Sequence, residues 1–122
     1  MILVDTPVWV DHLRVGDLTL VRLLESRQVL VHPFVIGELA LGHIRQRANL
    51  LAELQNLPQA RLALDQEVFR FIELHVLFGL GIGYVDAHLL ASVRLTAGAS
   101  LWTRDKRLLD VAAHLGKASR FN

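Results

Sequence analysis

The chain has 122 residues, of which 52% are hydrophobic and 20% are charged, and it contains no cysteine. This composition predicts a globular chain rather than a disordered one, and the length suits one domain covering residues 1–122. The lack of cysteine excludes disulfides and thiolate metal sites. No apolar run reaches the roughly 18 residues of a membrane-spanning helix, and the start lacks the basic segment of a signal peptide, so we expect no membrane contact and a cytoplasmic location.

In chain order, "ILV" predicts a short buried strand, and Thr6 predicts a helix N-cap for a helix that runs to about Arg14. A second helix over "DLTLVRLLESR" precedes a strand over "QVLVH". Pro33 begins a third helix, "PFVIGELALGHIR", which is expected to continue through "QRANLLAELQNL" to the loop at Pro58. "QEVFRFIELHVL" and "YVDAHLLASVRLTAG" predict helices on either side of the turn "GLGIG", and "ASLWT" predicts the third strand. The helix "DKRLLDVAAHLG" and a short edge strand follow. The alternation predicts an α/β fold with a parallel sheet covered on both faces.

Two acidic residues follow predicted strands. Asp5 comes directly after "ILV", and Asp105 comes shortly after "SLWT". Because parallel strands end at the same edge of a sheet, we expect both carboxylates at that edge, where ligands of such sheets bind. Each residue has a second interpretation, since aspartate is also a common N-cap of the helix that follows.

Two further acids lie on helices in apolar surroundings. Glu38 is the one charge in "FVIGELALG". Burying an unpaired carboxylate costs several kcal/mol, so Glu38 must reach solvent, pair with Arg45 or bind a metal. Asp86 begins the core-facing side of its helix, a stripe that continues through Leu89, Leu90, Val93 and Ala97. Capping of that helix is the alternative for Asp86.

Four carboxylates at one sheet edge would repel one another without a counter-charge. Oxygen ligands favour Mg²⁺ or Mn²⁺ over zinc. A site of this kind can deprotonate a water and neutralise charge on a phosphodiester. The rest of the chain, once these four acids are set aside, carries an excess of basic residues, which suits a polyanionic partner.

Hydroxyl and basic residues surround the strand-end acids. Thr6 and Thr103 are both candidates to orient a carboxylate or a metal-bound water by hydrogen bonding. Capping is the alternative for each residue, and it is the favoured interpretation of Thr6. Arg104, Lys106 and Arg107 flank Asp105, and they either contact a nucleic-acid backbone or are simply solvated.

Other polar residues are placed outside the site. The six histidines lack a metal-binding spacing and are predicted to be surface or half-buried residues. Asp110 lies more than one helical turn beyond Asp105, so it is left out. Five aromatic residues at helical spacings are expected to be core or dimer contacts rather than base-stacking platforms: Trp9, Phe34, Phe69, Phe71 and Phe78.

The motifs "ILVDTPVWVDHLR", "VIGELALG", "GIGYVDAHLLASVRL" and "LWTRDKRL" occur in an order and spacing that resembles the PIN-domain ribonucleases of the VapC toxin type, over essentially the whole chain. The resemblance implies a three-layer α/β/α domain with a central, mainly parallel sheet, and Mg²⁺- or Mn²⁺-dependent endonucleolytic cleavage of RNA. It implies a VapB-type antitoxin as partner, and a homodimer that forms a larger complex with that antitoxin. By motif, the metal-binding and catalytic acids are Asp5, Glu38, Asp86 and Asp105, and Thr103 matches the hydroxyl position before the last acid.

Two other functions remain open from the sequence. The same fold with the same metal site could serve a DNA nuclease or a phosphatase. A non-catalytic module that binds RNA or a protein is the other alternative, although the presence of all four acids argues against it.

Overall fold

A three-stranded parallel sheet forms the centre of the computed structural model, which describes residues 1–122. The strands β1 (Ile2–Val4), β2 (Val29–Leu30) and β3 (Ser100–Trp102) are arranged in the order β2-β1-β3. Ile2 pairs with Val29 on one side and with Ser100 on the other. The apolar strand β1 is therefore central, and its carboxyl end points to the middle of one sheet edge.

Seven helices surround the sheet. They are α1 (Thr6–Val15), α2 (Leu18–Glu25), α3 (Pro33–Ala40), α4 (Arg47–Asn56), α5 (Asp65–His75), α6 (Tyr84–Leu95) and α7 (Lys106–His114). None of them is long and apolar enough to cross a membrane.

Both faces of the sheet are covered by helices. Successive residues of a strand point to opposite faces, and Ile2, Leu3 and Val4 are all buried. They belong to one cluster of 29 buried hydrophobic residues. The fold is therefore the predicted three-layer α/β/α arrangement.

One predicted helix is in fact two. The sequence pattern predicts a helix that continues from Pro33 through "QRANLLAELQNL", but α3 ends at Ala40 and α4 begins at Arg47. Gln46 has φ 53° and ψ 42°, a left-handed conformation that a right-handed helix cannot contain. The Arg47 Nε–H donates to the Ala40 carbonyl across the break. Apolar residues on both sides of residues 41–46 hide this interruption in the sequence pattern.

β1 coincides with the predicted strand "ILV", whereas the other strands are shorter than the sequence predicts. Beyond Leu30, Val31 forms only an isolated bridge with Gln59, and the predicted C-terminal edge strand is a single bridge between Leu101 and Ala118. The prediction holds for the position of these segments and fails for their length.

The placement predicted for the histidines is wrong for two of them. His32 and His88 are 1% and 4% exposed. His32 Nδ1 accepts a hydrogen bond from the Phe34 N–H at 3.0 Å and caps α3. His88 Nε2 lies 3.0 Å from Asp65 Oδ1. The two rings differ in how far burial is compensated: His88 Nε2 has an acidic partner, whereas His32 Nε2 is buried without a hydrogen-bond partner and only its Nδ1 is paired.

Candidate active site

Asp5 is the innermost carboxylate at the carboxyl edge of the sheet. It joins β1 to α1 and is 5% exposed. The Thr6 N–H donates to Oδ1 at 2.8 Å, and the Thr103 hydroxyl donates to Oδ2 at 2.7 Å. Asp5 itself is the N-cap of α1, with φ −73° and ψ 158°, so the prediction of Thr6 as the cap is wrong by one residue. Both interpretations of Asp5 apply, because a cap and a strand-end carboxylate occupy the same position.

The other three predicted acids share an open cleft with Asp5. Glu38 comes from α3, Asp86 from the first turn of α6, and Asp105 from the residue before α7. The cleft has a volume of about 410 Å³ and is lined by Asp5, Thr6, Pro7, Val10, Asp11, Glu38, Asp86 and Asp105. The fold thus brings together the four acids that the sequence nominated, one from each of four segments.

Glu38 reaches solvent at this cleft. Its side chain is exposed, and its Oε1 accepts a 2.6 Å hydrogen bond from the Thr6 hydroxyl. No ion pair joins Glu38 to Arg45. Thr6 therefore orients a site carboxylate, the role that the sequence analysis ranks below capping for this residue.

Asp86 and Asp105 also combine capping with a position in the cleft. Asp86 Oδ2 accepts the Gly83 N–H at 3.0 Å, and Asp105 Oδ1 accepts the Leu108 N–H at 3.1 Å. Each carboxylate uses one oxygen to hold its helix start and retains a second one that accepts no hydrogen bond from the protein. Beyond Asp86 the stripe is buried as predicted, except that Ala97 is exposed and lies past the end of α6.

Thr103 links the two strand-end acids. Its hydroxyl donates to Asp5 and accepts the Asp105 N–H at 3.1 Å, and the residue is 2% exposed. The Thr103 N–H in turn donates to Asn122 Oδ1 at 2.9 Å, and Asn122 Nδ2 donates to the Leu101 carbonyl at 2.8 Å. Asn122 was missed at the sequence level because no local pattern connects it to Thr103.

The electrostatic balance of the site is negative. Burial raises the pKa of Asp5 above its usual 3.8, hydrogen bonds from Thr103 and Thr6 lower it, and the charges of Asp86 and Glu38 raise it further. The net shift is upward. The protein's own groups therefore leave the ionised form of Asp5 under-compensated.

The arginine between β3 and α7 is already paired with other acids. Arg104 donates from Nη1 to Asp11 Oδ2 at 2.5 Å and from Nη2 to Asp17 Oδ2 at 2.9 Å. Asp11 lines the cleft and was not singled out from the sequence. Its pairing with Arg104 distinguishes it from the four acids, none of which forms an ion pair.

The donor set suits a hard divalent cation. All four acids offer carboxylate oxygens, the ligands that Mg²⁺ and Mn²⁺ prefer. As the side chains stand, no three acidic or histidine side chains are grouped closely enough to form a metal site. The chemistry of the donors therefore suits such an ion.

Comparison with known proteins agrees with this geometry. The family model of the PIN domain matches residues 2–114. The chain is 52% identical over 118 residues to Ribonuclease VapC32 of Mycobacterium tuberculosis strain CDC 1551 / Oshkosh, covering 97% of this chain and 95% of that protein. Ribonuclease VapC32 of strain H37Rv matches to the same extent. The fold, the placement of the acids and these matches together show that the chain belongs to the PIN domain family, in its VapC branch.

Proposed function

We propose that the chain is a Mg²⁺- or Mn²⁺-dependent endoribonuclease, formed by one domain over residues 1–122, that acts as the toxin of a type II toxin–antitoxin pair. The observation that carries this proposal is the cleft in which Asp5, Glu38, Asp86 and Asp105 meet without a basic partner. The relatives named as ribonucleases support RNA as the substrate.

Asp5, Asp86 and Asp105 would hold the metal, directly or through water, with Glu38 on a metal-linked water. When bound, the ion supplies a water of lowered pKa and positive charge beside the phosphate. Burial, and to a smaller extent repulsion from Asp86 and Glu38, raises the pKa of Asp5. This shift supports the assignment, because a cation in the cleft would offset the cost of the buried carboxylate charge and the repulsion.

The chain's own residues have separate tasks in the hydrolysis. The Thr103 hydroxyl holds Asp5 Oδ2, and the Thr6 hydroxyl holds Glu38 Oε1, so both carboxylates are fixed before substrate binds. Glu38 Oε2 accepts no hydrogen bond from the protein and is the proposed acceptor of the proton that the attacking water loses. Attack of that water on phosphorus breaks the bond to the 3′ oxygen, which takes up a proton. The products carry a 5′-phosphate and a 3′-hydroxyl.

A VapB-type antitoxin is the proposed protein partner, and the VapC name of the relatives supports it. A groove of about 650 Å³ adjoins the cleft, and Val10 and Glu38 line both. The groove also has Leu13 and Ile44 on its wall, so an apolar peptide segment placed there would reach the acids. RNA and antitoxin would both be met in the cytoplasm.

A homodimer, joined with antitoxin into a larger complex, is also proposed. Its support is the exposed apolar surface along and after α5, where Phe69 is 56% exposed, Val76 57% and Phe78 59%. Of the aromatic residues expected to be core or dimer contacts, Trp9 and Phe71 are in the core.

The purified chain should be incubated with structured RNA, single-stranded DNA and a small phosphate ester, each with Mg²⁺, with Mn²⁺ and with a chelator. We expect cleavage of RNA alone, loss of cleavage on chelation, and recovery when either ion is restored. End analysis of the products should find 5′-phosphate. Cleavage that persists with chelator, or products with a cyclic phosphate, would contradict the proposed mechanism, and cleavage of DNA or the ester would favour the alternative functions.

A further inference from the structure

Three basic residues flank Asp105, and the structure separates them. Arg104 is bonded to Asp11 and Asp17, and its guanidinium carbon lies 5.9 Å from the Trp102 ring centroid. Lys106 and Arg107 are exposed, and neither forms an ion pair with an acidic residue. Two of the three cations are therefore free to meet an external anion.

Arg107 differs from Lys106 because its side chain packs against another segment of the chain, the backbone of Gly81. The side chain lies against the backbone of Gly81, which has φ +79°, so that a methyl group at Gly81 would fall 2.5 Å from Arg107 Nη1 and 2.7 Å from Cδ. The positive φ favours glycine at this position, and the missing side chain leaves the space that the guanidinium occupies. The glycine-rich turn "GLGIG" thus provides the backbone surface against which the Arg107 side chain packs.

The contact between Gly81 and Arg107 connects the segments that carry two of the site acids. Two residues after Gly81, the Gly83 N–H donates to Asp86, and Arg107 itself stands two residues after Asp105 in the first turn of α7. The guanidinium therefore lies at the rim of the cleft, outside the residues that line it, between the loop that leads to Asp86 and the helix that Asp105 caps.

A cationic group at this rim would reduce the repulsion between the site carboxylates and the phosphates of a substrate. An RNA strand that enters the cleft brings phosphates toward four carboxylates, and charge beyond the metal is needed along its path. A guanidinium binds phosphate through two parallel N–H bonds, and a side chain already held by packing loses less freedom on binding. We propose that Arg107 is a substrate-positioning residue that binds a backbone phosphate of single-stranded RNA next to the scissile one. This inference rests on the proposed function.

The test measures RNA binding rather than cleavage. In an Asp5→Asn background with Mg²⁺, the affinity for a labelled single-stranded RNA is measured by fluorescence anisotropy over a range of salt concentrations. Each single-strand phosphate contact contributes about 0.7 to the slope of log affinity against log salt. Arg107→Gln should lower the slope by about that amount, and Arg107→Lys, which keeps the charge, should retain it.

Arg104→Gln is the matched control. It removes an arginine whose guanidinium is already paired with Asp11 and Asp17. It should leave the salt slope unchanged. Arg107→Met keeps the aliphatic stem on Gly81 and gives a second charge-free variant if Arg107→Gln proves unstable to heating.

The two ideas fail in different ways. If the unsubstituted chain cleaves RNA, and the slopes of Arg107→Gln and Arg107→Met equal that of the Asp5→Asn parent, the role of Arg107 is overturned and the ribonuclease assignment stands. If the parent shows no affinity for RNA and the unsubstituted chain no cleavage, both are overturned.

Discussion

The fold contains two polar clusters, and they differ in the charges that surround their buried members. The carboxylate cluster (Asp5, Glu38, Asp86 and Asp105) gathers groups of one sign around a cleft, with Asp5 buried. The histidine cluster is His32, His88 and Asp65. In it the buried His88 ring nitrogen Nε2 lies beside the carboxylate of Asp65, which also accepts a 2.6 Å hydrogen bond from the Tyr84 hydroxyl.

In both clusters burial disfavours the charged form of an ionisable side chain, which shifts the pKa of a histidine and that of an aspartate in opposite directions. It lowers the pKa of His32 to about 4, with the charge of His88 adding to the effect, so His32 is neutral at pH 7. It raises the pKa of Asp5, whose neighbours Asp86 and Glu38 are also acids. A buried histidine relieves the cost of burial by losing a proton, whereas an aspartate needs a proton or a cation. Neutral His32 therefore needs no counter-charge, whereas the carboxylate cluster is suited to a bound cation.

Removing the charge of Asp5 is expected to have the largest effect. Asp5→Asn should lower the rate of RNA cleavage by about a thousandfold, the middle to upper part of the range for lost acid–base and metal-ligand groups. Its melting temperature should stay the same or rise, because a buried and repelled charge is removed. Single-turnover cleavage assays and thermal unfolding measure the two quantities.

Asp110→Asn is the control for that substitution. Asp110 is an exposed acid on α7 that does not line the cleft, so its replacement should leave the cleavage rate unchanged. An Asp5→Asn variant that retains most of its activity would mean that the carboxylate cluster is not the active site.

The histidine cluster should reveal itself in the pH dependence of stability. Between pH 6.5 and about 4, the unfolded chain binds a proton on His32 that the folded chain does not. The free energy of unfolding should therefore fall as the pH falls through this window, by up to about 3 kcal/mol. Denaturant titrations at several pH values, with chelator present, follow the loss.

Two substitutions separate the contributions of the clusters to this curve. His32→Asn can still cap α3 but does not titrate, so its stability should fall less between pH 6.5 and about 4. Asp5 has the opposite sign: because its pKa is raised in the folded state, its burial costs less as the pH falls toward 3.8. Asp5→Asn should therefore lose stability more steeply on the acid side, and parallel curves for all three proteins would refute the assignment.

Loss of the Thr103 hydroxyl tests how the carboxylate cluster is held. Thr103→Val removes the donor to Asp5 and the acceptor for the Asp105 N–H. We expect a 10- to 100-fold loss of activity, roughly the cost of losing a group that orients a metal ligand, and about 1–2 kcal/mol of stability. The pKa of Asp5 should rise further, which moves the acid limb of the pH–rate profile upward. Thr103→Ser keeps the hydroxyl and should restore both; an unmoved acid limb in Thr103→Val would show that the hydroxyl does not act on Asp5.

The sequence was sufficient to place the four acids of the site and insufficient to predict all the hydrogen bonds that hold them. Asp5 and Asp105 could be placed because strand ends are visible in an apolar run, and Glu38 and Asp86 because single charges stand out in apolar helices. The predicted domain and site assignments remain predictions that the experiments above address. Thr6 was interpreted as a cap, and the true cap is its neighbour Asp5, since both are good N-cap residues.

The contacts that escaped prediction join residues far apart in the chain. Arg107 and Gly81 meet across the start of α7, and His88 meets Asp65 across two helices. Such pairs depend on how helices pack, and neither composition nor periodicity of a single sequence carries that information. The burial of His32 escaped for the same reason, since its surroundings come from α6 as well as its own segment.

The smallest effect is expected from Asn122, whose side chain accepts a hydrogen bond from the Thr103 N–H. Asn122→Ala removes the acceptor for the Thr103 N–H and the donor to the Leu101 carbonyl. Asn122 is exposed, so water replaces these bonds in part and the cost should be about 1 kcal/mol or less, measured by denaturant unfolding. The ladder between β1 and β3 still holds the segment that carries Thr103, so the cleavage rate should fall by only about a few-fold. A loss of activity as large as that of Thr103→Val would mean that Asn122, rather than the sheet, positions the hydroxyl on Asp5.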